Sequence, residues 1–330
     1  MMAFFRNLFF LAIGILLLWL TFKDQDFMAV WHKVKAADPF YIFLCCVFSV
    51  LALVSRSRRW VQLIEPLGYR PRLGSTFHSI MFGYLANMAI PRLGEISRCG
   101  ALSKSDQVPF EKLVGTVIAE RLLDVVMLAL CIVVTAALEF EVLGGFLMRE
   151  IFNPIVHKLG NAGVFLGIAA GAVVMGASLA YKLFKHPNPP AFVLKLKGLS
   201  RGIGEGLQSI TRIRNKGEFI FHTLFIWSMY FGMSYVCFFA LPETETLGPA
   251  AGLFIMVLGG IGMTAPVQGG IGAYHLLVSK GMLLYGLSET DGLVYATMSH
   301  AVSTLLLILL GGSSMLQLFF FIRTKPSATA

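Results

Sequence analysis

Six apolar runs, each long enough to cross a bilayer, constrain this chain more than any other feature. They cover residues 4–22, 39–55, 113–138, 160–181, 218–241 and 292–322. A membrane-spanning helix needs about 20 mostly apolar residues, and only 14% of the 330 residues are charged, which is too few to cover a soluble surface. The sequence therefore predicts an all-α polytopic membrane protein with six full spans, folded as a single integral membrane domain over residues 1–330.

Two further apolar stretches are broken by proline and glycine. The stretch 73–105 is interrupted at Pro91, and the stretch 247–288 is interrupted at Pro266. Proline removes a backbone donor and clashes with the preceding turn. In a bilayer such breaks are tolerated only where protein or a watery cavity receives the freed backbone groups. We therefore predict two re-entrant, broken-helix hairpins.

The two hairpins share a Pro-x-x-Gly pattern, which predicts an inverted repeat. The pattern occurs twice, 175 residues apart, at Pro91 to Gly94 and at Pro266 to Gly269. The flanking spans keep nearly the same offset, giving a first repeat of about 39–138 and a second of about 218–322. The span at 160–181 between them would turn the second copy upside down. Inverted repeats of discontinuous helices are typical of secondary transporters, although a chance match is the alternative.

The basic residues indicate how the chain is oriented. If both termini are cytoplasmic, 20 of the 27 lysines and arginines fall on the cytoplasmic side, and the acidic loops "PETETLG" and "SETDG" fall outside. This distribution follows the positive-inside rule. The net charge of +9 is therefore explained by topology in the cytoplasmic (inner) membrane, and nucleic acid is not expected as a partner. The basic linker at about 190–216 is interpreted either as an amphipathic helix on the inner leaflet or as a plain connector.

Charged residues at two places in the first repeat are expected to form a cluster. Three interrupt the span at 113–138: Glu120, Arg121 and Asp124. Each would cost roughly 2.5–3.5 kcal/mol near the centre of a membrane helix, so they need partners or water. Three more charged residues occur at three-residue intervals earlier in the chain, in the first hairpin: Arg92, Glu95 and Arg98. The predicted neutral cluster is either a set of structural salt bridges or a polar cavity in which arginines bind a headgroup phosphate.

The second hairpin offers a different kind of site. The segment "APVQGGIGAYH" contains Gly269, Gly270 and Gly272, whose backbone N–H groups at a helix start would suit an anion. Gln268 and His275 add polar side chains; His275 is interpreted either as a packing residue or as a proton carrier. The histidines lack the spacing of metal ligands, so we predict neither a metal nor a cofactor.

Three motifs in this order resemble the flippase-like transmembrane domain of the lysylphosphatidylglycerol synthase family, in its stand-alone form. They are "PRLGEISR", "ERLLD" and "PVQGGIG", and the likeness extends over about residues 8–322. The resemblance implies lipid translocation. The residues that match the motifs are Pro91, Arg92, Gly94, Glu95, Arg98, Glu120, Arg121, Asp124, Pro266, Gly269, Gly270 and Gly272.

Two departures from the family pattern bear on function. Gln268 precedes the glycine pair and His275 stands near the position of an acidic residue, which leaves the headgroup preference open. The larger members carry an aminoacyl-transfer domain after the membrane part, for which this chain leaves no room. We therefore do not expect it to synthesise lysyl-lipid.

The expected function is a lipid flippase that moves a phospholipid or a lipid-linked sugar between leaflets. The alternatives are an intramembrane headgroup or glycosyl transferase with Glu95, Glu120 or Asp124 as a base, and a non-transporting subunit of an envelope-lipid pathway. No catalytic residue is assigned. The expected partner is a membrane lipid with an anionic or sugar-bearing headgroup, and a second copy of the chain or a lipid-modifying enzyme is a further candidate.

Overall fold

The computed structural model describes residues 2–23, 25–140, 208 and 210–323, and most of them are helical. No β-strand occurs in these ranges. The predicted span at 160–181 and most of the predicted linker at 190–216 lie outside the described residues. The α-helices with described bounds are α1 (Met2–Phe22), α2 (Phe27–Lys35), α3 (Pro39–Ile64), α4 (Leu73–Ala89), α5 (Leu93–Asp106), α6 (Phe110–Leu138), α7 (Lys216–Val236), α8 (Pro249–Thr264), α9 (Ala273–Leu283) and α10 (Glu289–Arg323).

Three helical segments within the described ranges are long and apolar enough to cross a membrane. They are Pro39–Leu67, Lys216–Ala240 and Glu289–Phe319, and shorter apolar helices occur at Ala12–Phe22 and Pro249–Thr264. The prediction of an all-helical membrane protein is confirmed. The total of six spans stays a prediction.

Short side-chain caps fix where the first helices begin. Asp26 accepts hydrogen bonds from the backbone N–H groups of Met28 and Ala29 at the start of α2. Asp38 accepts one from Phe40 at the start of α3, and Pro39 occupies the first helical position, where its missing N–H costs nothing. These caps satisfy donors that have no partner inside the helix.

Both predicted helix breaks are present, and each joins two helices into a hairpin. The chain turns between α4 and α5 at Pro91 and between α8 and α9 at Pro266. In the first turn Arg92 adopts a left-handed conformation with φ of 63°. Asn87 on α4 accepts a 2.6 Å hydrogen bond from the N–H of Gly94 on α5, which satisfies one of the donors freed at the break.

Two glycines allow the helices of the first hairpin to touch. A Cβ on Gly83 of α4 would lie 2.8 Å from the carbonyl oxygen of Gly94, and a Cβ on Gly94 would overlap the carbonyl oxygen of Gly83. Real Cβ atoms do not approach backbone this closely. Close backbone contact through small residues is the usual way that helices pack in membranes, and here it sets the position of α5.

The packing of the two halves follows a reciprocal pattern. The first helix of each hairpin contacts the last helix of the other half: α4 contacts α10, and α8 contacts α6. A Cβ on Gly311 of α10 would lie 2.8 Å from Leu85 of α4, and a Cβ on Gly260 of α8 would lie 3.6 Å from Leu128 of α6. The helices α3 and α7, which precede the hairpins, pack against each other.

The turns of the two hairpins lie close together. The last turn of α4 contacts the 3-10 turn Gln268–Gly270 of the second hairpin. A Cβ on Gly269 would lie 3.9 Å from the side chain of Met88. The broken segments of both halves therefore meet inside the helical bundle.

Ion pairs tie the short helix α2 to the second half. The ammonium group of Lys33 lies 2.7 Å from Glu243 and 2.6 Å from Asp291. Hydrogen bonds to Asp291 and Glu243 raise the pKa of Lys33 above its ordinary value, so this lysine stays charged at neutral pH. The segments that carry these three residues must lie on the same side of the bundle.

The close contact in the first hairpin predicts different outcomes for two glycines on α5. We expect Gly94→Ala to lower the thermal midpoint in detergent, because its Cβ would overlap the backbone of Gly83. Overpacking of this kind costs roughly 1–3 kcal/mol. Gly100→Ala is the matched control, since a Cβ there meets open space and alanine is the better helix former. A Gly94→Ala protein as stable as Gly100→Ala would contradict the packing described above.

Candidate functional site

Two arginines near the end of α3 are buried against α6. Arg56 and Arg59 lie three residues apart and share a helix face, and only 4% and 0% of their surfaces are exposed. Arg58 lies between them, is directed elsewhere and pairs with Glu218 on α7 at 2.8 Å. Helical periodicity therefore sends two of the three arginines into the bundle.

Glu120 and Asp124, one turn apart on α6, receive the buried arginines. Arg56 lies 2.6 Å from Glu120 and also contacts Asp124. Arg59 lies 2.7 Å from Asp124 and 3.6 Å from Glu120. Arg98 on α5 adds a third arginine, 3.0 Å from the other oxygen of Glu120. Buried charges require such partners, so these ion pairs hold α3, α5 and α6 together.

Two aromatic side chains enclose the ion pairs. The guanidinium of Arg98 lies over the ring of Trp60, 4.6 Å from its centroid, which is within cation–π range. Trp60 in turn donates a 2.9 Å hydrogen bond to the hydroxyl of Thr116. Arg56 donates one of 2.9 Å to the hydroxyl of Tyr230 on α7. The arginines are therefore oriented by aromatic contacts as well as by carboxylates.

An outer ion pair joins the buried charges to the protein surface. Arg121 donates to Glu95 at 2.7 Å, and its other terminal nitrogen lies 3.8 Å from Asp124. The side chain of Arg121 is 45% exposed, whereas that of Asp124 is 16% exposed. Arg121 therefore connects an accessible carboxylate to the interior.

We call these seven residues the arginine network: Arg56, Arg59, Arg98, Arg121, Glu95, Glu120 and Asp124. Four positive charges face three negative charges, which leaves one positive charge in excess. Within the described residues, Nε and Nη1 of Arg59 are buried without a hydrogen-bond acceptor. An unsatisfied buried donor costs about 1–3 kcal/mol. Both features suit an additional anion, and a phosphate supplies the acceptors that arginine prefers.

The predicted pairing with the carboxylates of α6 is present for Arg98 and absent for Arg92. Arg98 pairs with Glu120 as expected. Arg92, in contrast, precedes α5, is exposed, and forms no ion pair with the described residues. Residues three apart share a face only within one helix. Because α5 begins at Leu93, the three-residue spacing does not bring Arg92 onto the face of Arg98. The predicted neutral cluster is therefore corrected to a network with an excess positive charge.

Sequence reasoning missed Arg56, Arg59, Trp60 and Tyr230. The sequence predicts a span that ends at residue 55, before these basic residues begin. The helix in fact continues to Ile64, which places Arg56 about 12 Å before its end at 1.5 Å per residue. The three-residue spacing of the two arginines, on the side opposite Arg58, was the pattern that could have revealed them.

The second hairpin has no charged side chain at its turn. Residues 265–279 include neither a carboxylate nor an arginine or lysine. Gly269, Gly270 and Gly272 have positive φ values of 56°, 75° and 83°, which side-chain-bearing residues rarely adopt. Proline at 266 and these glycines therefore produce the sharp turn. The predicted anion site on the glycine N–H groups stays a prediction.

Two histidines pack behind this turn. The ring centroids of His275 and His300 lie 4.8 Å apart, and both residues are buried. A ring nitrogen of His300 lies 2.8 Å from the carbonyl oxygen of Gly269, and the N–H of Gly272 donates to His275 at 3.4 Å. Gln268, partly buried, begins the 3-10 turn. These contacts place His275 against the turn, and its role as a packing residue or a proton carrier stays a prediction.

A comparison of the chain with known protein families agrees with the resemblance that the three sequence motifs indicate. A family model described as "Lysylphosphatidylglycerol synthase TM region" matches residues 7–311. The chain belongs to this family. The match covers every residue of the arginine network and both hairpin turns.

Two curated proteins are similar over most of the chain. The UPF0104 membrane protein MJ1595 of Methanocaldococcus jannaschii is 22% identical over 304 residues, which cover 84% of this chain and 85% of the relative. Glycosyltransferase AglD of Haloferax volcanii is 22% identical over 322 residues, which cover 89% of this chain and 51% of that protein. No solved structure matches the chain.

The position of Glu120 beneath three arginines predicts that it is the least replaceable carboxylate of the network. We expect Glu120→Gln to lower the thermal midpoint and the yield of folded protein, because removing one partner of a buried ion pair costs roughly 3–5 kcal/mol. The matched control is Glu111→Gln on the same helix, where the side chain is exposed and the effect should stay within about 0.5 kcal/mol. Equal midpoints for the two variants would show that the pairs contribute little to the fold.

Proposed function

We propose that the protein is a flippase-type transporter that moves a phospholipid or a lipid-linked sugar between the leaflets of the cytoplasmic membrane. The observation that carries this proposal is the buried arginine network with its excess positive charge. In its buried part three arginines share the two carboxylates of Glu120 and Asp124. A purely structural set of ion pairs does not need this imbalance, since an uncompensated buried charge destabilises the fold. A headgroup phosphate would balance the charge and accept hydrogen bonds from Arg59.

The arrangement suits transient binding of a headgroup. The carboxylates Glu120 and Asp124 hold the arginines in place before a phosphate arrives, so little side-chain ordering is needed on binding. They also share those arginines with the phosphate, which keeps the anion from being held too tightly to leave. The combination of arginines and carboxylates therefore favours transient binding of the headgroup over tight binding.

We also propose an inverted repeat with six spans and two re-entrant hairpins, and the packing of the described helices supports the two-fold relation of its halves. Each hairpin contacts the last helix of the other half, as expected if a two-fold axis relates the halves. An axis in the membrane plane is the arrangement of many transporters with broken helices. The pairing of Lys33 with Glu243 and Asp291 places these segments on one side, which we assign to the exterior. Both termini are then cytoplasmic, and the adjacent hairpin turns form the point where access alternates between leaflets.

A second candidate function is an intramembrane transferase acting on a lipid-linked sugar. The similarity to a protein named as a glycosyltransferase favours this substrate class. As general bases, however, Glu95, Glu120 and Asp124 are poorly placed, because each is already within 3.0 Å of an arginine nitrogen. A non-transporting subunit of a lipid pathway is a third candidate, and the transport assay below separates it from the first.

Transport of an anionic lipid should depend on Arg98. In proteoliposomes that contain a fluorescent phosphatidylglycerol, we expect Arg98→Gln to slow movement between leaflets about tenfold, the effect of losing roughly 1.4 kcal/mol of binding. The replacement removes the excess positive charge, while Glu120 keeps Arg56 and Arg59 as partners. Arg98→Lys should retain more movement than Arg98→Gln, because it keeps the charge but loses the planar fork.

The control for this experiment is Arg58→Gln, which removes an arginine of α3 that pairs with Glu218, outside the network. Its rate should stay close to that of the unmodified protein. Wild-type rates for folded Arg98→Gln, or an equal loss in both variants, would contradict a role for the network in transport. A new lipid species in the same vesicles would favour the transferase.

A further inference from the structure

A groove between α5 and α6 opens beside the arginine network. Its cavity has a volume of about 270 Å³. Glu95 and Arg121 are the charged residues on its wall, and the other seven lining residues are apolar. The groove therefore has an apolar lining with one ion pair at its edge.

The apolar rim of the groove faces outward from the bundle. Ile96 on α5 and Leu122 and Val125 on α6 line it, and each is at least half exposed. Exposed apolar patches of this kind are suited to contact with a membrane or another apolar partner, and this chain belongs to a family of membrane proteins. In a bilayer that covers this rim, a lipid would enter the groove without passing through water.

The ion pair between Glu95 and Arg121 on the groove wall can form further hydrogen bonds. One oxygen of Glu95 accepts from Arg121, while the other, Oε2, is buried without a hydrogen-bond donor among the described residues. Arg121 has a second acceptor nearby, since it lies 3.8 Å from Asp124. Arg121 can therefore exchange Glu95 for another anion and still remain paired, and Glu95 can receive a donor.

We propose that this groove is a lateral docking site for a glycerophospholipid whose headgroup carries a hydroxyl or amino group. One acyl chain lies against Ile96, Leu122 and Val125, the phosphate takes the place of Glu95 on Arg121, and the headgroup donor binds Oε2 of Glu95. The unpaired oxygen decides for a lipid over an apolar protein helix, because an apolar helix would supply no hydrogen-bond donor to Oε2 of Glu95 and no anion to Arg121. The inference rests on the proposed function and deepens it by naming where the lipid leaves the bilayer.

Photo-crosslinking can test the site without any transport step. A diazirine-bearing amino acid placed at Val125 would report the lipids in the groove, in vesicles containing equal parts of phosphatidylglycerol and phosphatidylcholine. The control position is Val133, which is on the same helix and equally exposed at 64% but outside the groove. We expect phosphatidylglycerol adducts at position 125 to exceed the vesicle ratio about threefold, as suits one accessible ion pair, and adducts at position 133 to follow the ratio.

The enrichment should depend on the charge of Arg121. Arg121→Gln is expected to abolish it, and Arg121→Lys to retain it. Equal lipid ratios at positions 125 and 133, enrichment that survives Arg121→Gln, or adducts to a second protein chain in place of lipid would each overturn the docking site. Enrichment without lipid movement in the flippase assay would preserve the docking site while refuting the proposed function. Lipid movement without enrichment would preserve the proposed function while refuting the docking site.

Discussion

The burial of Glu120 beneath three arginines is the interaction on which the first half of the protein depends. Moving an ion from water into a protein interior costs several kcal/mol, so none of Arg56, Arg59 and Arg98 is tolerable alone in an apolar bundle. Glu120 contacts all three, and Asp124 shares two of them. The relative positions of α3, α5 and α6 are therefore fixed by charge pairing, in addition to the apolar packing around Trp60.

The two halves have similar packing and different chemistry. The first hairpin brings α5 against α4 through glycine contacts and so delivers Arg98 to the network. The second hairpin uses glycines and two histidines to make a neutral turn, and this turn lies against the end of α4. A headgroup held by arginines on one side would thus meet an uncharged surface on the other, which is consistent with release there.

The sequence predicted the helix breaks and the need for paired charges, because both follow from local rules. Pro91 and Pro266 cannot continue a helix, and Glu120 in an apolar run requires a partner. Two errors had physical reasons. Helical spacing does not relate Arg92 to Arg98, because Arg92 lies in the turn before α5 begins. Arg56 and Arg59 lie beyond the end of the predicted span at residue 55. The sequence alone does not show that the helix continues past its apolar run into polar residues, as α3 does up to Ile64. The contacts with Tyr230, 174 residues away from Arg56, could not be read from local patterns.

The central claim is that the arginine network binds a lipid phosphate. A cryo-EM structure in nanodiscs that contain phosphatidylglycerol would test it most directly. We expect phosphate density within hydrogen-bonding distance of Arg59 or Arg98, with the acyl chains leading outward between α5 and α6. A network in which both arginines contact only carboxylates, with ordered lipid confined to the perimeter of the bundle, would contradict the claim.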